Sequence, residues 1–325
     1  MSKTNRKQFD FIGKRFIFLG ISGALILLGI VFNIIFGTQL DINFQGGTIF
    51  TYSYTGDINT DEVDALATQV LEREVEVSLS SDLSGGTQQL TISLPDKEAV
   101  STELQSEMND AMAEKFTDNN IEVLTTNSVK PSVGSGFFIK CLFAVVLGGI
   151  LVTIYVGIRF RKIGGLSAGV FATLALLHDI LIAYFVYVIF RIPLDDNFIA
   201  VELTLLGYSL NGTIVIFDRI RENRQLMDSK TPIDQLVNTS INQSLFRSFN
   251  TSLCTFAAIA IVAIMALATG MDAIISFAIP MMFGILSGFY TSTFLCCPLW
   301  VTWIQHKQKK ALLAKEAAKA QPKKK

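Results

Sequence analysis

Apolar runs alternate with polar stretches along this chain, and six of them reach the roughly 20 residues needed to cross a hydrocarbon core. They cover Phe16–Phe36, Phe137–Ile158, Leu166–Phe190, Ile199–Phe217, Thr251–Thr269 and Ala273–Ile304, the last long enough to tilt or to project beyond the bilayer. A soluble globule has nowhere to bury such runs, so the pattern predicts a bundle of six transmembrane helices. The basic flank of the first run (Lys3, Arg6, Lys7, Lys14 and Arg15) is that of a signal peptide. Its 21 residues exceed a normal secretory core and no small-x-small site follows, so it is read as an uncleaved anchor.

Residues 37–136 follow other periods. Thr48–Tyr54 alternates like a strand after Gly46-Gly47. Asn59 then opens a helix, with Glu62 three residues on as a capping-box signal, and Val63, Leu66, Val70 and Leu71 share one face. Val75–Ser80 and Gln88–Leu94 read as strands joined by a Ser84-Gly85-Gly86 turn. A second helix starts after Pro95-Asp96, with Val100, Leu104, Met108 and Phe116 on one face, and Ile121–Val129 closes as a strand. The order β-α-β-β-α-β is that of a ferredoxin-like α+β domain.

Half of the 325 residues are hydrophobic and 17% are charged, against roughly 25% in a soluble domain. This excludes a soluble enzyme, a nucleic-acid binder and a disordered chain. The net charge of −1 carries no information, but its distribution does. With the N-terminus inside, 21 Lys and Arg fall in inner segments and 5 in outer ones, Lys140 lying within a span. The expectation is a multi-pass protein of the cytoplasmic membrane. Residues 1–15 and the basic tail 305–325 are then cytoplasmic, and residues 37–136 extracytoplasmic. Residues 137–304 carry the second to sixth spans. The outer domain holds 17 acidic and 4 basic residues, either a solubilising surface or an acidic platform for a basic or unfolded partner. The Lys-rich tail suits anionic membrane lipids, at about 1 kcal/mol per residue.

All four cysteines, Cys141, Cys254, Cys296 and Cys297, fall in spans, as small packing residues do. Acylation of the adjacent Cys296 and Cys297 is an alternative. No catalytic residues, metal site or cofactor are expected. The chain has two histidines, His178 and His306, too few for a multi-ligand site.

A charge near the bilayer centre costs at least ~2.5–3.5 kcal/mol and normally faces protein or an aqueous path. Asp179, preceded by His178, lies thirteen residues into the third span, roughly 20 Å deep at 1.5 Å per residue. It is either a hydrogen-bonding link between helices or part of a proton relay. The fourth span holds Glu202 and then Gly207-Tyr208-Ser209-Leu210-Asn211-Gly212-Thr213, small and hydroxyl residues suited to close helix packing. It ends in Asp218-Arg219-Ile220-Arg221-Glu222-Asn223, an interfacial salt-bridge network by its alternating signs. Arg247 is either an inner-surface anchor or an intramembrane counter-charge. Gly165/Gly169 and Gly284/Gly288 have GxxxG spacing, a weak packing signal.

These residues resemble the SecD/SecF family of protein-translocase accessory subunits, related to RND exporters. The match lies in Phe44-Gln45-Gly46-Gly47-Thr48, His178-Asp179, Gly207–Asn211, Thr213–Asn223 and Gln243-Ser244-Leu245-Phe246-Arg247-Ser248, and covers residues 10–305. The resemblance implies half of an RND-type transporter, paired with SecD. Such a pair is thought to use ion flow, of H⁺ or Na⁺, to move its outer domains and promote late steps of preprotein export. It works beside the SecYEG channel, with YajC or YidC as further partners. In the family the motif usually ends in an Asp taken as a proton carrier, with an Arg matching Arg247 as its partner. Here that position is Gly212, which cannot titrate, so only Arg247 carries over. Glu202 stands where the family usually has an apolar residue. Asp179, Glu202, Arg247 and Asp218 are therefore the ion-coupling candidates. Gly207, Tyr208, Ser209, Asn211, Gly212, Arg219, Arg221 and Glu222 are the motif positions. The alternatives are a non-coupling scaffold subunit, an RND-like exporter of lipids or small molecules, and an enzyme built on His178-Asp179.

Overall fold

The structure is a computed structural model that describes residues 8–81, 88–95, 100–129, 131–228, 230–269 and 271–320. It is built of α1 (Arg15–Phe36), α2 (Ile42–Gln45), β1 (Gly47–Tyr54), α3 (Thr60–Leu71), β2 (Glu76–Ser81), β3 (Gln88–Pro95), α4 (Thr102–Lys115) and β4 (Glu122–Val129), followed by the long helices α5 (Pro131–Arg159), α6 (Gly165–Ile189), α7 (Asp196–Leu226), α8 (Ile233–Thr269), α9 (Asp272–Tyr290) and α10 (Cys297–Ala320). A π-helical segment, Thr291–Cys296, joins α9 to α10. Among the described residues, six helical stretches are long and apolar enough to cross a membrane, the last running Ala273–Lys315 through that segment.

The small domain is a four-stranded antiparallel sheet in the order β2-β3-β1-β4, the ferredoxin-like arrangement. Alternate residues of β1 (Phe50, Tyr52 and Tyr54) and of β3 (Leu90, Ile92 and Leu94) are buried with Val63, Ala67 and Leu71 of α3 and Met108 and Met112 of α4. Burial pushes the Tyr52 hydroxyl well above its usual pKa, and that hydroxyl donates to Asn109 Oδ1 of α4 at 2.9 Å. Asn59 caps α3 by accepting from the Asp61 amide at 3.0 Å. The second helix begins later than its pattern suggests. Ser101 is the cap, accepting from the Leu104 amide at 3.3 Å, so Val100 is a core residue that precedes the helix. The expected Ser84-Gly85-Gly86 turn, residues 96–99 and the chain ends 1–7 and 321–325, with Lys3, Lys7 and the last three lysines, lie outside the described residues.

In the bundle, α6, α7 and the α9–α10 helix are the enclosed elements, while α1, α5 and α8 keep large apolar faces exposed. The weak GxxxG signals mark real close approaches. A Cβ at Gly165 would stand 2.2 Å from the Gly157 carbonyl, and one at Gly288 would meet Ser209 Cβ at 3.1 Å. Side chains larger than hydrogen would push α6 from α5 and α9 from α7.

Helices overrun the apolar runs at three places. α7 continues to Leu226 through its charged end, and α8 begins at Ile233, eighteen residues before the run at Thr251. α5 begins at Pro131. Cys296 and Cys297 are buried in the bundle core with Phe160, Phe217 and Trp300, so the acylation reading fails for want of access.

The segment before α1 folds back. Asn238 and Asn242 of α8 accept from the Phe11 and Phe9 amides at 2.8 and 2.9 Å and donate to the Phe9 carbonyl. Phe11 thereby enters the core against Phe294 of the π-helical segment.

Candidate functional site

Asp179 sits fourteen residues into α6, roughly 21 Å along its axis, and is 1% exposed. Three hydroxyls surround its carboxylate. Ser209 of α7 donates to Oδ2 at 2.5 Å, Ser287 of α9 donates to Oδ1 at 2.5 Å, and Thr291 lies 3.0 and 2.9 Å from the two oxygens. His178 Nδ1 is 3.6 Å from Oδ1, beyond hydrogen-bonding reach, and lies 3.4 Å from the Ser287 hydroxyl. Hydroxyl donors stabilise a buried carboxylate without fixing it as an ion pair.

The geometry follows from local sequence. The π-helical turn carries Thr291, Ser292 and Thr293, whose hydroxyls compete with the backbone ladder, and Pro298 downstream lacks the N–H owed to the Phe294 carbonyl. A widened turn is a common consequence, often found at functional sites. It aims Thr291 at Asp179 and Ser292 at α7, where Ser292 lies 2.9 Å from the Thr213 hydroxyl and donates to the Ser209 carbonyl at 3.3 Å.

Beside this cluster lies a cavity of about 50 Å³, lined among others by Tyr208, Asn211, Gly212, Arg247, Ser252 and Ser292. That volume admits a few waters. Gly212 and Arg247, the two positions singled out by the motif, thus share one wall space. A Cβ at Gly212 would meet Ser292 Oγ at 3.1 Å. Arg247 makes no ion pair among the described residues, and Tyr208 donates to Ser252 Oγ at 3.0 Å.

Glu202 is also 1% exposed, but neither of its carboxylate oxygens has a hydrogen-bond partner among the described residues. Asp218 lies far from both acids, at the end of the bundle remote from the sheet domain. It is paired with Arg221 at 2.9 Å and with Arg159 of α5 at 3.3 Å. Arg219 pairs with Glu222 at 2.6 Å and donates to Gln243 of α8 at 2.7 Å, and Asn223 reaches Gln243 and Ser240. This end is the salt-bridge network expected from its alternating signs. A Cβ at Gly207 would meet nothing within 4 Å.

The structure therefore brings Asp179, Ser209 and, through Ser292, the Gly212–Arg247 cavity together. It leaves Asp218, Arg219, Arg221 and Glu222 apart. Ser287, Thr291 and Ser292 were not singled out in the sequence. Their signal was a run of hydroxyls inside an otherwise apolar span.

Six spans with a ferredoxin-like domain inserted after the first, and a buried acid among hydroxyls at mid-bundle, define one half of an RND-like membrane transporter. The comparisons carry this to a family: Protein export membrane protein SecD/SecF, C-terminal, matches residues 108–306. The chain belongs to the SecD/SecF family, on its SecF side, and is a multi-pass membrane protein. It is 33% identical to the Protein translocase subunit SecF of Petrotoga mobilis over 93% of this chain and 98% of that one. To the Protein translocase subunit SecDF of Bacillus subtilis it is 30% identical over 94% of this chain and 39% of that one. The solved structure of SecDF from Thermus thermophilus, described as a translocon-associated membrane protein, superposes with a TM-score of 0.74 at 28% identity. It takes in 94% of this chain and 40% of that one.

Proposed function

We propose that this chain is an accessory subunit of the Sec preprotein translocase which, with a SecD partner, uses an ion gradient to promote late steps of protein export across the cytoplasmic membrane. The fused relative supports the pairing, since this chain corresponds to about two fifths of it. The observation that carries the reading is Asp179, a mid-bundle carboxyl held by three hydroxyls from two other helices beside a cavity lined by Arg247. An acid so held can gain or lose a proton, and either state changes what α7 and α9 are bonded to. The ion step is thus linked to helix packing and through α1 and α5 to the sheet domain, which acts on the unfolded preprotein beside SecYEG. The excess of Lys and Arg on one side supports cytoplasmic termini and an extracytoplasmic domain at 37–136. Labelling of single introduced thiols tests that orientation, and finding residues 37–136 on the face of the Lys-rich tail overturns it.

The functional test is export in cells depleted of their own subunit. The parent chain should restore export, and Asp179→Asn should not. Parent-level rescue by Asp179→Asn would remove Asp179 as carrier. Gly212 favours a second reading, a scaffold whose partner carries all the ions, because this position offers no acid. Asp179→Asn decides here too, since a scaffold would keep its activity. Gly212→Asp would then test whether a carboxyl facing Arg247 adds to export.

A further inference from the structure

A groove of about 1230 Å³ opens between α5, α6 and α10, at the end of the bundle remote from the sheet domain. It plays no part in the site around Asp179. Glycines form its floor: Gly157 of α5 and Gly164 and Gly165 at the start of α6. Gly164 turns the corner at φ +98°, and a Cβ at Gly165 would stand 2.2 Å from the Gly157 carbonyl. The close α5–α6 packing that these glycines allow leaves a channel that larger residues would fill.

The walls change character with depth. Ile154, Ile158, Leu166 and Val170 are apolar and exposed, a surface for hydrocarbon. Two cations stand at the other end: Arg161, in the short link Arg161–Ile163 between α5 and α6, and Lys307 of α10. Phe171 lies seven residues beyond Gly164, roughly 10 Å further along α6. Trp303 stands between the two levels, its ring 5.2 Å from the Lys307 ammonium and 6.3 Å from the Phe171 ring. Tryptophan is enriched at the headgroup level of membranes.

No carboxylate lines the groove, and neither Arg161 nor Lys307 makes an ion pair among the described residues. Arg159, Arg219 and Arg221, at the same end, each meet Asp218 or Glu222. Two cations without a counter-charge, set over apolar walls, complement an amphiphile with an anionic head. A free phosphate would leave the apolar walls uncovered. The volume also exceeds the roughly 300–1,000 Å³ of an ordinary small-molecule pocket.

We propose that this groove is a specific site for one anionic phospholipid of the leaflet remote from the sheet domain. The phosphate supplies the counter-charge to Arg161 and Lys307, and an acyl chain runs along α6 past Leu166 and Val170. Basic pockets between spanning helices are a recognised way to hold anionic headgroups. The lipid ties α10 to the α5–α6 corner. This differs from a diffuse attraction of the Lys-rich tail, because Lys307 acts with a residue on another element. The site requires no ion movement, so it stands apart from the ion-coupled reading above.

The test is native mass spectrometry of the full chain, with and without its SecD partner. The probes are phosphatidylglycerol and phosphatidylcholine with the same acyl chains. The parent should retain one phosphatidylglycerol and prefer it by about thirtyfold, about fivefold for each cation. Arg161→Gln and Lys307→Gln should each lower that preference about fivefold, and the double variant should abolish it. Lys309→Gln, on the opposite face of α10, should leave it unchanged. Val170→Trp fills the apolar half without touching a charge and should reduce retention of both lipids. No preference in the parent, or parent-level retention in Val170→Trp, would overturn the proposal. A preference that survives in the double variant, or that falls as far in Lys309→Gln, would overturn it in favour of diffuse charge. Lipid held by the chain alone but displaced by SecD would overturn it in favour of a subunit interface.

Discussion

Two regions of the helical bundle treat their carboxyls differently. At the end remote from the sheet domain, Asp218 and Glu222 each meet a guanidinium. In the middle of the bundle, Asp179 meets hydroxyls and Glu202 meets no donor among the described residues. A carboxyl beside an arginine is held by a fixed counter-charge and serves as an anchor. Hydroxyls can accept as easily as they donate, so they serve a carboxyl in either protonation state. The charged end fixes α7 against α5 and α8, and the hydroxyl-lined middle is left free to change.

The sharpest way to break this contrast is to neutralise one acid of each kind. Asp179→Asn should lower ion-dependent export by roughly a hundredfold. Asp218→Asn, whose pairs are about a third exposed, should leave it within about twofold. Equal losses in pulse-labelled export would end the distinction. Next in size, Thr291→Val removes a hydroxyl bonded to both oxygens of Asp179 and should cost about 1–3 kcal/mol, read as a fall in the thermal midpoint of the detergent-solubilised chain. Glu202→Leu should move the other way, raising that midpoint by the equivalent of about 1 kcal/mol, because it removes an unpaired buried polar group. A lower midpoint would mean that Glu202 has a partner. The smallest effect is expected for Arg159→Ala, under about 1 kcal/mol and smaller still in high salt.

The sheet domain was legible from its sequence because strand alternation and helix faces each repeat within a few residues. Its one displaced element shows the limit: Val100 fits the α4 face by spacing, yet Ser101 is the residue with a side chain able to cap. Span positions were legible from length, but α8 was half hidden. Its first eighteen residues mix Asn, Ser and Arg with Leu and Ile, and they become helix by packing against α7 and the folded-back N-terminus. Asp179 and Glu202 stood out because charge is expensive there. Their surroundings did not, since a serine in a span looks the same whether it bonds its own backbone, as Ser240 also does with Leu236, or a distant acid. The shared space of Gly212 and Arg247 was expected only through the family resemblance, and their spacing in sequence alone carries no sign of it.

A wide turn holds one residue more than the regular coil on either side of it, and this surplus has an unusual consequence for the sixth span. Losing a single residue from the regular coil before it, Ala273–Tyr290, would spin everything beyond it by about 100°, pulling Trp300 out of its socket against Phe217. Losing one from Thr291–Cys296 lets the coil close up with both flanks still facing their neighbours. The stretch that cradles the membrane acid is thus also where this helix can be shortened without being unscrewed.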